Sequence, residues 1–160
     1  MFVSIIITGK YAKIKWTEEI FFLCNILIEI FDMKDGLVIM KFALYFGNRG
    51  FFPASLIGTA RAEVSAAVSD AGYEYLMPPA EMTRYGAVET RDEGYAYAEW
   101  LHSHEGEYDG VIMSLPNFSD ENGAVAALRD AGKPILIQAY PDEPGKMDFE
   151  HRRDAFCGKF

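Results

Sequence analysis

Met40-Lys41-Phe42-Ala43-Leu44-Tyr45-Phe46-Gly47-Asn48-Arg49-Gly50-Phe51-Phe52-Pro53, followed by a helical run over 55–70, is the stretch that decides the fold. Residues 42–46 are apolar without alternation and are closed by Gly47-Asn48, the pattern of a short strand covered on both faces. Beyond Pro53 the period changes. Ile57, Ala60, Val64, Ala67, Val68 and Ala71 fall on one helical face, with Arg61, Glu63 and Asp70 off it, and Gly72 supplies a stop. The unit is therefore strand, glycine-bearing loop, helix.

Working outward, the alternation continues to the end of the regular region. Residues 73–77 read as a second strand ended by Pro78-Pro79, and 80–89 as a loop. Thr90 and Glu93 form a capping-box pair, with Asp92 favouring the positive end of a helix that runs to about His104, with Tyr97, Ala98 and Leu101 inward. Residues 110–113 are a third strand. Ser119 or Asp120 caps a third helix whose inner face is Ala124, Ala127, Leu128 and Ala131, stopped by Gly132. Residues 135–138 are a fourth strand, and 149–160 have helical character.

Strands that alternate with helices pair in parallel, because a parallel neighbour needs a crossover. The expected fold class is α/β, a three-layer Rossmann- or flavodoxin-like parallel sheet with strand order 2-1-3-4. That order puts a topological switch beside the first strand, where ligands bind outside the carboxyl ends of the strands. Three loops converge there: 47–55, 114–121 and 139–144. A fifth strand is expected after the fourth and does not follow in the sequence.

The first forty residues differ from the rest, being rich in Ile, Phe and Lys with a single alanine, Ala12. Met40 reads as the natural start, with 1–40 an appendage from a misplaced start codon or from cloning. The alternative is a genuine extension in which Thr17-Glu18-Glu19 caps an apolar helix over 20–31 that packs on the sheet edge. The organisation expected is thus an added segment at 1–40, a Rossmann-like domain at 41–148, and the start of a further domain at 149–160.

Composition narrows the function. The chain has 160 residues, half of them apolar, and a net charge of −9. Such a chain has a globular core and no basic footprint for nucleic acid. No stretch reaches the ~20 apolar residues of a membrane helix. Cys24 and Cys157 are far apart and belong to no C-x-x-C pair, which fits free thiols in a reducing cytoplasm. His102 and His104 lie on nearly opposite helical faces and cannot share a metal.

The loops carry the candidate chemistry. In the first, the glycines permit close approach to a ligand, and Arg49 offers a planar fork of donors for a carboxylate, phosphate, sulfonate or adjacent hydroxyls. It equally fits a surface arginine paired with a carboxylate. In the second, Asn117 suits sugar hydroxyls and Phe118 an apolar sugar face. Asp120 and Glu121 there are explained by the helix dipole. In the third, Asp142 and Glu143 stand between prolines as either an acid–base pair or a solvated turn.

The tract Ile135-Leu136-Ile137-Gln138-Ala139-Tyr140-Pro141-Asp142-Glu143-Pro144-Gly145-Lys146-Met147, the run Ser114-Leu115-Pro116-Asn117-Phe118 and the opening stretch from Met40 resemble the N-terminal domain of the L-fucose/L-arabinose isomerase-like sugar isomerases. The resemblance covers 40–160. It implies a cytoplasmic, oligomeric parent enzyme that interconverts aldoses and ketoses by moving a proton between C1 and C2. A divalent cation, typically manganese, is held by later domains, and none is expected on this chain. It also implies that the N-terminal domain helps to close a neighbouring subunit's active site. Arg49 matches the position that contacts the far end of a monosaccharide, and Asn48 and Asn117 join it as candidate substrate-binding residues. No catalytic residue is expected here, so the chain alone should be inactive. The alternative reading is a non-enzymatic flavodoxin-like module for a small anion, a sugar or FMN.

Overall fold

The computed structural model describes residues 39–156, together with the backbone of two N-terminal strands, β1 (Phe2–Ile7) and β2 (Lys10–Lys15). The region at 39–156 contains β3 (Lys41–Phe46), α1 (Ser55–Asp70), β4 (Glu74–Leu76), a 3₁₀ turn at Ala80–Met82, α2 (Arg91–Ser103), β5 (Gly110–Leu115), α3 (Glu121–Leu128) and β6 (Ile135–Ala139).

The four parallel strands lie in the order β4-β3-β5-β6, which is the predicted 2-1-3-4. Phe42 sits opposite Tyr75 on one side and Gly110 on the other, so β3 is central. Its side chains divide between two cores. Phe42, Leu44 and Phe46 pack with Ile57 and Val68 of α1. Ala43 and Tyr45 pack with Tyr97 and Leu101 of α2 and with Ala127 and Leu128 of α3. A strand buried on both faces has to be apolar throughout, which is why 42–46 shows no alternation.

Beyond β6 the sheet differs from the all-parallel expectation. β1 pairs antiparallel with β6, and β2 antiparallel with β1, so the whole order is β2-β1-β6-β5-β3-β4. An open edge leaves a row of backbone donors and acceptors unpaired, and β1 satisfies that row on β6. The place expected for a fifth strand from downstream is taken by one from upstream. The anticipated helix at 20–31 and both cysteines lie outside the described residues.

The helices follow their sequence signals with two adjustments. Thr90 and Glu93 form the reciprocal capping box, and Asp120 caps α3 by accepting from the Gly123 backbone N–H at 2.9 Å. On α1 the buried stripe narrows to Ile57, Ala60 and Val68, with Val64 partly buried and Ala67 and Ala71 exposed. α1 covers the edge pair β3–β4, and β4 is only three residues long, so less helix surface is covered. Arg61, off the apolar face by period, donates to the carbonyls of Pro78 (2.6 Å) and Gly86 (2.7 Å).

Residues 149–156 form turns rather than a helix. Asp142 Oδ1 accepts from the backbone N–H groups of Arg153 (3.2 Å) and Asp154 (2.9 Å), and Asp154 adopts a left-handed φ of 45°. Those bonds take the N–H groups of Arg153 and Asp154 out of any helical ladder. Ala155 is buried against Leu115 and Ala139 at the carboxyl end of the sheet.

Candidate functional site

The loops after β3 and β5 meet at the topological switch, and glycine makes the meeting possible. A Cβ on Gly47 would overlap the side chain of Ser119. Pairing continues past the strand ends: Gly47 N–H donates to Ser114 O at 3.0 Å, and Asn48 N–H to Val88 O at 2.9 Å. The Asp120 N–H then donates to Asn48 O at 3.1 Å, which ties the first loop to the start of α3.

Beneath the rim lies a buried amide pair. Asn117 Nδ2 donates to Asn48 Oδ1 at 2.7 Å, and Asn48 Nδ2 donates to Glu89 Oε2, also at 2.7 Å. Asn117 Nδ2 also approaches the Pro53 carbonyl at 3.4 Å. Both asparagines are fully buried, and Asn117 Oδ1 has no hydrogen-bond partner. Asn48 and Asn117 were candidate substrate-binding residues by sequence, and both are in this corner. The structure seats them under the loop, where they join the carboxyl ends of β3 and β5 to the segment that enters α2. Glu89 was missed. It lies in a loop without periodicity, and nothing local indicates a partner 41 residues away.

Arg49 is at the surface of the same corner. Its guanidinium stands 4.7 Å over the Phe118 ring and 5.8 Å from that of Phe51, and Nη1 donates to Glu121 Oε1 at 3.1 Å. The backbone fixes where the side chain starts, because Phe52 N–H donates to Arg49 O at 2.8 Å in a tight turn. Phe52 stacks on Phe118 at 5.7 Å, and Arg152 lies 4.8 Å over the far side of Phe52. The order Arg152, Phe52, Phe118, Arg49 is thus a ladder of cations and rings that draws in the tail. Such contacts favour a fixed guanidinium plane over a freely rotating one. Glu121 is held below the ordinary carboxylate range by a hydrogen bond from its own backbone N–H and by Arg49. Among the described residues Arg49 Nε and Nη2 have no partner.

The third loop reaches the rim through backbone contacts. Tyr140 N–H donates to Leu115 O at 3.1 Å, Phe118 N–H to Arg153 O at 2.7 Å, and Arg153 Nη1 to Pro116 O at 2.9 Å. Its two acids are engaged elsewhere: Asp142 holds the tail, and Glu143 pairs with Lys146 at 2.6 Å. They belong to a turn and not to an acid–base pair.

The donor set does not fit a divalent cation. Among the described residues no three of His, Cys, Asp and Glu come together to hold one. Asp120 is occupied as a helix cap, His102 faces Glu105 at 3.3 Å, and His151 faces Asp148 at 2.7 Å.

This geometry is that of a loop rim at the topological switch of an α/β sheet. The model of the family described as Fucose/sulfoquinovose isomerase, N-terminal domain, matches residues 38–160. The chain belongs to that family. No curated protein and no solved structure matches it. The match decides between the two readings of the sequence in favour of a sugar isomerase domain and against a stand-alone flavodoxin-like module. The family's span begins close to the composition break at Met40 and takes in the whole parallel sheet. Among the described residues no helix is long and apolar enough to cross a membrane.

Proposed function

We propose that this domain binds and positions a monosaccharide for a cytoplasmic aldose–ketose isomerase, closing the pocket of a neighbouring subunit in an oligomer, and does not itself move the proton. The observation that carries the reading is Arg49: a guanidinium at the topological switch, with its plane set by Phe118 and two of its donor nitrogens unengaged. Asn48, Asn117 and Glu89 position that arginine from below. Proton transfer between C1 and C2 belongs to groups outside the described residues. So do the ligands of the divalent metal, manganese in this proposal, on which the parent enzyme depends.

The test is Arg49→Ala in the complete isomerase. A charge-assisted hydrogen bond lost from a bound sugar corresponds to about a tenfold to hundredfold fall in kcat/KM. An unchanged kcat/KM removes Arg49 from the substrate site.

A further inference from the structure

The contact between Arg49 and Glu121 bears on which sugars this corner accepts. Taken alone, an exposed arginine at a helix-rich rim is a site for anions, since a sulfonate or phosphate matches its fork of donors. Here the fork is already shared. Glu121 Oε1 takes Nη1 at 3.1 Å, and the two side chains are 30 % and 60 % exposed respectively, so both present polar atoms to whatever enters. The arginine cannot swing away to meet an anion elsewhere without leaving the Phe118 face. Nor is Glu121 committed to the helix cap, because Asp120 fills that role.

The rim therefore offers donors from Arg49 Nε and Nη2 beside an acceptor from Glu121. A hydroxyl group both donates and accepts, so two neighbouring hydroxyls complete both halves of such an edge. A sulfonate only accepts, and its charge would lie against the Glu121 carboxylate. We propose that Glu121 is a specificity-determining residue that fits the Arg49 corner to the adjacent hydroxyls of an uncharged sugar and disfavours sugars bearing a sulfonate or phosphate. The inference rests on the reading of Arg49 as a sugar contact.

Calorimetric titration of the chain with fucose and with sulfoquinovose, uncharged and sulfonated respectively, tests it. Three proteins are compared: the unsubstituted chain, Glu121→Gln and Arg49→Ala. Glutamine keeps the length of the side chain at an exposed first-turn position, and an unfolding curve checks that the fold is kept. The unsubstituted chain is expected to prefer fucose. Glu121→Gln is expected to move the preference toward sulfoquinovose by about fivefold, the upper end for one exposed charge–charge contact. Arg49→Ala is expected to weaken binding of both by about tenfold to hundredfold. An unmoved preference in Glu121→Gln, or a preference for sulfoquinovose in the unsubstituted chain, overturns the role of Glu121 and leaves Arg49 as a sugar contact. Binding of both sugars left undiminished by Arg49→Ala, or no binding by the unsubstituted chain, overturns the sugar-site reading and this proposal with it.

Discussion

Asn48 occupies the point where three loops are joined, and its side chain uses both ends to do so. Its amide nitrogen reaches Glu89 and its amide oxygen receives Asn117. Replacing Asn48 with alanine strands a carboxylate oxygen and a buried amide together. Leaving buried polar groups without partners costs about 1–3 kcal/mol. Asn48→Ala is therefore expected to lower stability by about 2 kcal/mol in urea unfolding, and to broaden the Arg49 Nε–H resonance as the loop above loosens. A change below about 0.5 kcal/mol, the range of an ordinary surface substitution, would show that the amide pair does not hold the rim. At this scale the sequence was only partly legible. Glycines, an arginine and an asparagine at strand ends mark a candidate binding corner by their chemistry. Their burial, and the link from Asn48 to Glu89, depend on how distant loops fold against each other.

The elements were more legible, because their signals are local. The apolar run at 42–46, the box of Thr90 and Glu93 and the cap at Asp120 each specify a conformation within a few residues. The failures have tertiary causes. Residues 149–156 have a helical composition, but Asp142 captures their backbone N–H groups. Arg61 is on the polar side of α1 by period, yet two carbonyls beyond the helix claim it. Helix packing gives the element-scale prediction. A Cβ on Gly94 of α2 would overlap the Gly123 backbone carbonyl of α3, and one on Gly123 would stand 2.9 Å from the Thr90 carbonyl. Backbone cannot yield as a flexible side chain can. Gly94→Ala is expected to push α2 and α3 apart and to destabilise the domain by about 1–3 kcal/mol by thermal unfolding. The higher helix propensity of alanine recovers at most about 1 kcal/mol of that loss. A variant as stable as the parent would mean that the helices do not cross at this pair.

At the scale of the whole molecule, parallel topology makes the rim. The order of connection, not the strand direction, reverses at β3, with α1 on one face and α2 and α3 on the other, and the loops after β3 and β5 meet at their common end. Ligands of open α/β sheets bind outside the carboxyl ends of the strands at such a switch point. The antiparallel hairpin of β1 and β2 closes the opposite side of the sheet, at the β6 edge. It completes edge pairing without contributing to the switch point. The strand order was readable because crossovers constrain parallel strands. The hairpin was not, because an edge accepts any strand of suitable length. The central claim is that a sugar docks at the open rim beside Arg49. It is tested most directly by mapping backbone and arginine side-chain resonances of the chain during titration with fucose. Shifts are expected to concentrate at Arg49, Phe51, Phe118 and Glu121. Shifts concentrated at the amino-terminal ends of the strands, around Lys41 and Gly110, would contradict it.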